Sequence, residues 1–288
     1  MQNAATVEAH MERATQRAPS TQIPSKSAVI SKDGTIISFD RIGHGAPIIL
    51  VDAALCHRQL GQTGQLAKLL APHFTVITYD RRGRGESGDT APYSVQREVE
   101  DIAALLSEAG GSAHLWGMSS GAVLALEAAR CLNGIQKLAV YEAPFIVDDS
   151  RSTTEDQWTH IREAAAAGRS GAAIKVFLEM VGVPRVFIAL MRLSPIWSKL
   201  EAIAHTLPYD GAIVQDYQRG RPLPPQRWAS VTVPTLVMDG GKSPQWMRRG
   251  NHALSLVLPN THYRTLNGNT HALKPKAHAP ALVEFFKS

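Results

Sequence analysis

The sequence has little cysteine, the residue that staples small folds and holds structural zinc. Only two cysteines occur in 288 residues, Cys56 and Cys131. They lie far apart, with neither the paired spacing of a zinc site nor a Cys-x-x-Cys redox pair, and both read as free thiols. Metal-ligand spacing is missing throughout, so no metal is expected. No apolar run reaches membrane length. Residues 1–26 mix acids, arginine, serine and proline without the apolar stretch of a secretory signal. They read as a tail or linker with one short helix around Glu8 to Arg17, and a cytoplasmic protein is the expectation. Charged residues make up only 19%, and the net charge of +5 is scattered except at Arg81, Arg82 and Arg84. That triplet reads as a solvated turn after a strand, and neither nucleic acid nor a membrane surface is expected as a partner.

What is present is an ordinary hydrophobic content of 44% in a chain long enough for one large α/β domain with an insertion. Short β-branched runs recur at Ala28 to Ser31, Thr35 to Phe39 and Pro47 to Asp52, the first two joined by Asp33-Gly34 as a hairpin. Strand and helix patterns then alternate. Thr75 to Tyr79 reads as a strand, Val95 to Leu106 keeps helical spacing, His114 to Trp116 begins a strand and Ala122 to Leu132 a helix. Lys137 to Tyr141, Pro234 to Met238 and Tyr263 to Leu266 read as further strands, and Ala281 to Phe286 as part of a closing helix. This alternation implies a doubly wound, mostly parallel sheet. Between Asp148 and Trp228 the strand signals stop and helical patterns take over. The expected organisation is therefore a core of residues 27–147 and 229–288 with a helical cap at 148–228.

The segment His114-Leu115-Trp116-Gly117-Met118-Ser119-Ser120-Gly121-Ala122 sets Gly-x-Ser-x-Gly between an apolar strand and an Ala-rich helix. A serine on so sharp a turn needs small neighbours, and the helix N-terminus offers amide donors to a developing oxyanion. The bland reading, a glycine-rich turn whose serines cap the next helix, loses ground to a late partner histidine. That turn carries neither Gly-x-Gly-x-x-Gly nor a Lys-Ser/Thr ending, so no nucleotide cofactor is expected there.

With Tyr79-Asp80-Arg81-Arg82-Gly83-Arg84-Gly85-Glu86-Ser87, which is similar to the Asp-x-Arg-Gly-x-Gly-x-Ser loop of that family, the chain resembles the α/β-hydrolase superfamily from about Ser27 to Ser288. The resemblance implies that Ser119 is a nucleophile and that His271, after the last strand, is its base, ahead of His262 and His278. Where the family usually carries its acid, this chain has Ser243. A second placement known in the family, directly after the sixth strand, points to Glu142, with Asp239 as the alternative acid. Oxyanion donors would be the amides of Ser120 and Ala54. Arg82 and Ser87 are structural on this reading, and Cys56 is a packed thiol.

A serine nucleophile implies acyl transfer without a cofactor, the partners being a small-molecule substrate and water. The hydrophobic residues Met180, Phe187, Met191, Trp197 and Leu207 are candidates to line an apolar pocket for an uncharged, moderately hydrophobic ester or lactone. His57 either contacts substrate or caps a helix, and Arg192 and Lys199 are expected to face solvent. Carbon-carbon bond hydrolysis and a catalytically quiet small-molecule-binding protein on the same fold stay open as alternatives.

Overall fold

A computed structural model describes residues 25–288. Residues 1–24, and with them the short helix expected at Glu8 to Arg17, lie outside it. Strand β1 (Ser25–Ile30) already includes Ser25 and Lys26, which the sequence assigns to the tail. It turns through Asp33 and Gly34 into β2 (Ile36–Gly43), antiparallel with Ile30 facing Ile36. The hairpin is as expected, except that β2 runs four residues beyond Phe39 to pair with a later strand.

Thereafter strands and helices alternate: β3 (Pro47–Val51), α1 (Thr63–Leu70), β4 (Thr75–Tyr79), α2 (Val95–Glu108), β5 (Ala113–Met118), α3 (Ser120–Cys131) and β6 (Ile135–Tyr141). A helical segment follows: α4 (Glu155–Ala166), α5 (Ser170–Met180), α6 (Arg185–Met191), α7 (Pro195–Ile203), α8 (Leu207–Val214) and α9 (Pro225–Trp228). The chain closes with β7 (Thr235–Gly240), α10 (Gln245–Val257), β8 (Thr261–Leu266) and α11 (Pro275–Lys287). The eight strands form one sheet in the order β1-β2-β4-β3-β5-β6-β7-β8. Only the β1–β2 and β2–β4 pairings are antiparallel; the other five are parallel.

The unbroken apolar run of β3 is explained by burial on both faces. Ile48 and Leu50 pack with Leu66 and Leu70 of α1 and Leu282 of α11, whereas Ile49 and Val51 pack with Val99 and Ile102 of α2 and Val123 and Leu126 of α3. All four strand residues are fully buried, each worth roughly 1.5–3 kcal/mol. Helix α3 is buried almost all round, which is why it is rich in alanine: small side chains let it lie close against the sheet. Helix α2 is capped by Ser94, whose hydroxyl accepts the Arg97 amide. Parallel pairing points the carboxyl ends of β3, β5, β6 and β7 to one edge, where an α/β sheet binds its ligands.

Candidate active site

Leu55 (φ 55°) follows β3, Ser119 (φ 55°) follows β5 and Glu142 (φ 49°) follows β6; among the described residues these are the non-glycine positions with a left-handed backbone. Such a conformation costs about 1–3 kcal/mol per residue and persists only when its surroundings enforce it. For Ser119 the enforcement is visible. A Cβ on Gly117 would stand 2.3 Å from the Gly121 carbonyl oxygen, and one on Gly121 would stand 2.5 Å from the carbonyl oxygens of Val51 and Asp52. Only glycine at both places lets α3 start this close to β3 and β5. The Ser119 amide donates to the Tyr141 carbonyl at 3.0 Å and the Glu142 amide to the Met238 carbonyl at 3.0 Å, so both strained residues stay tied to neighbouring strands.

The side chains of Ser119, His271 and Glu142 come together in a line. His271 Nε2 lies 3.2 Å from Ser119 Oγ, and its Nδ1 lies 2.7 Å from Glu142 Oε2. The other carboxylate oxygen, Oε1, accepts the Gly240 amide at 2.7 Å. Glu142 is fully buried, whereas the His271 side chain is 38% exposed. Tyr141 steadies the histidine loop by donating its hydroxyl to the Thr270 carbonyl at 2.6 Å. Asp239 is not brought to the histidine. Its carboxylate accepts Arg248 Nε at 3.0 Å and the Tyr263 hydroxyl at 2.6 Å.

Ser120 and Ala54 border the same cavity as Ser119 and His271, and a buried ionic network holds both. Arg84 Nη1 donates at 2.7 Å to the Ala53 carbonyl, the oxygen of the peptide whose N–H belongs to Ala54. Arg84 Nη2 also binds Asp210 of α8 at 2.7 Å, and Asp210 accepts the Ser120 hydroxyl at 2.7 Å. Arg81 bridges Asp210 at 2.8 Å and Glu98 of α2 through two bonds of 2.7 Å. Arg82 clasps Asp101 and Asp33.

The solvated-turn reading of this arginine triplet is therefore corrected: each of the three residues is 1% exposed and its guanidinium is paired with carboxylates. Burial by itself would push the Asp210 carboxyl up, but the charges of Arg84 and Arg81, together with hydrogen bonds from Ser120 and Arg84, hold it below the ordinary range. Asp210→Ala is expected to cost about 3–5 kcal/mol, because two buried cations lose their shared anion. Urea denaturation checks this, and a loss under about 1 kcal/mol would mean that the network behaves as a solvated one.

The model of the alpha/beta hydrolase family matches residues 42–281. The chain belongs to the alpha/beta hydrolase family. It is similar in structure to an alpha/beta hydrolase from Sphaerobacter thermophilus, with 50% identity and a TM-score of 0.82 over 90% of this chain and 100% of that one. Two more distant structures share the fold. One is an esterase from Thermogutta terrifontis with malate bound, at 20% identity and a TM-score of 0.66 over 91% of this chain and 98% of that one. The other is an enol-lactonase from Burkholderia xenovorans, at 18% identity and a TM-score of 0.65 over 91% and 100%.

In this hydrolase the cavity beside Ser119 measures about 260 Å³. Its apolar wall includes Trp158 of α4, Phe177 and Met180 of α5, Val214 of α8, and Trp246 and Met247 of α10. Of the expected lining residues only Met180 is there. Phe187 is 59% exposed on α6, and Trp197 and Leu207 are buried in the packing of the helical segment, together with the half-buried Met191. His57 lies off the cavity and accepts the Gln59 amide at 3.3 Å within its own turn, so it neither caps a helix nor lines the pocket. Arg192 and Lys199 are exposed as expected.

The hydrolase's cysteines are both free, and burial pushes the Cys56 thiol up, away from reactivity. Among the described residues no cluster of His, Cys, Asp or Glu could hold a metal ion, and no helix is long and apolar enough to cross a membrane. Asp210, Arg151, Trp158 and Trp246 escaped the sequence reading. No local pattern around any of them marks a cavity wall that is assembled from four separate elements.

Proposed function

We propose that this hydrolase cleaves esters or lactones through an acyl-enzyme, with Ser119 as nucleophile, His271 as base and Glu142 as acid. The observation that carries the reading is the unbroken chain of bonds from Glu142 Oε2 through the His271 ring to Ser119 Oγ. A serine hydroxyl near neutral pH needs an adjacent base, and an orienting carboxylate keeps that base in the tautomer able to accept the proton. In the first half-reaction Ser119 Oγ bonds to the substrate carbonyl carbon while His271 Nε2 takes the hydroxyl proton. The Glu142 carboxylate stabilises the imidazolium. The carbonyl oxygen becomes an oxyanion received by the amides of Ser120 and Ala54.

Collapse of this intermediate breaks the carbon–oxygen bond to the leaving alcohol, which takes the proton from His271. Water then adds to the acyl-enzyme by the same route, releasing the acid and freeing Ser119. Residues 148–228 act as a cap in this reading, since α4, α5 and α8 supply much of the cavity wall. A fluorophosphonate tests it directly: the folded protein is expected to gain one phosphonyl adduct, located by mass spectrometry on Ser119. Folded protein that takes no adduct, or takes it elsewhere, overturns the assignment.

A further inference from the structure

Four residues bordering the cavity carry ionisable side chains: Arg151, Asp210, Lys242 and His271. Two of them are already balanced. Asp210 is neutralised by Arg81 and Arg84, and His271 faces Glu142. Arg151 and Lys242 pair with no carboxylate among the described residues. For Arg151 this is unusual in this chain, because the other arginines drawn into its interior, Arg58, Arg81, Arg82 and Arg84, each meet at least one Asp or Glu.

Arg151 lies in the loop between β6 and α4, half-buried, with its guanidinium carbon 4.0 Å from the centroid of the Trp246 ring. One nitrogen, Nη2, donates to the Met180 carbonyl. Stacking on the indole face and this single anchor fix the plane of the group and leave the remaining N–H donors free. Burial alone pulls its pKa below the ordinary arginine value, with no anion to offset the cost. An unpaired cation in a wall of tryptophan, phenylalanine and methionine is a poor choice for packing an apolar ligand, but it suits one that brings its own anion.

We propose that the substrate bears a carboxylate, which docks on the edge of the Arg151 guanidinium with Lys242 as the second cation. The apolar wall then takes the carbon chain between that carboxylate and the scissile carbonyl. This inference rests on the serine-hydrolase reading and narrows its substrate class to half-esters, lactones or related acyl compounds that carry a free acid. It also replaces the uncharged ligand expected from sequence. A planar guanidinium can receive the carboxylate through two parallel hydrogen bonds, which fixes the position of the acyl chain as well as holding it.

The test compares mono-p-nitrophenyl glutarate, whose acyl chain ends in a carboxylate, with its methyl ester, in which the same chain ends neutral. Wild type is expected to prefer the acid in kcat/KM by about tenfold or more. Arg151→Ala is expected to lower the acid-to-ester ratio by about 10- to 100-fold, the range of a charge-assisted hydrogen bond, and Arg151→Lys to keep part of it. Arg249→Ala removes an equal charge from an exposed pair with Asp148, outside the cavity, and is expected to leave the ratio unchanged.

Preference of wild type for the neutral ester, or an unaltered ratio in Arg151→Ala, overturns the proposal, because a purely structural arginine would slow both substrates alike. Fluorophosphonate labelling separates the two levels: no adduct on Ser119 refutes the serine reading, whereas an adduct with an unaltered ratio refutes only the carboxylate site. If Ser119 is labelled but neither ester turns over, protection from labelling by glutarate decides. Protection that is lost in Arg151→Ala supports the site, and absent or equal protection overturns it.

Discussion

Ser119→Ala is expected to lower kcat on a p-nitrophenyl ester by about 10⁶-fold, with KM little changed and the fold intact. The methyl group of alanine fits where the hydroxymethyl stood, and what disappears is the hydroxyl oxygen that lies 3.2 Å from His271 Nε2. If the three side chains act as one unit, as proposed, adding His271→Ala to the first variant should cost almost nothing more. Residual turnover would then report the amides of Ser120 and Ala54 together with simple binding. Steady-state kinetics on the single and double variants reads this. A loss below about tenfold for Ser119→Ala, or further loss on adding His271→Ala, would mean that the nucleophile lies elsewhere.

The second large effect is expected at Glu142. Glu142→Gln should reduce kcat by about 10⁴-fold, for a reason the geometry makes specific. Both carboxylate oxygens accept hydrogen bonds, Oε1 from the Gly240 amide and Oε2 from the His271 ring. A glutamine has one acceptor and one donor group at its tip. If its oxygen faces Gly240, its amide donates to His271 Nδ1 and drives the ring proton to Nε2, the nitrogen that must be free to accept from Ser119. If it flips, two donors meet at a fully buried side chain, at a cost of about 1–3 kcal/mol.

Asp239→Asn provides the contrast. Its carboxylate serves Arg248 and Tyr263, so the change should weaken the fold while leaving turnover per folded molecule within a few-fold of wild type. Thermal melts beside kcat measurements separate the two effects. Equal kinetic losses in both variants would sink the assignment of Glu142.

Glu142 was suggested by the resemblance, in which a second placement of the acid directly follows the sixth strand. Once β6 was read to end at Tyr141, the next residue had to stand at the carboxyl edge of the sheet beside β5 and β7. Ser119 was marked by its Gly-x-Ser-x-Gly turn between an apolar strand and a helix, and His271 by its resemblance to the family's histidine after the last strand. Strand β4 was read to its observed bounds, Thr75–Tyr79, since a strand buried inside the sheet carries its signal locally.

What could not be read was anything completed from afar. The arginines after β4 look solvated in a local window, because their carboxylates sit 17 and 19 residues ahead on α2 and up to 129 residues away on α8. The cavity wall failed for the same reason. Hydrophobicity in the helical segment picks out Trp197 and Leu207 as readily as Trp158, and only the packing of the helices decides which side chain turns towards Ser119.

The strained backbone at position 119 sets a direction for any population of variants. Glycine there would relax a left-handed residue and remove the nucleophile in one step, so the change that most simply improves folding also ends the proposed chemistry. Selection on thermal resistance alone would therefore pull the sequence towards a sturdier, silent molecule. On the proposed mechanism only turnover keeps Ser119 in place, so a library built on this scaffold needs a screen for product at every round.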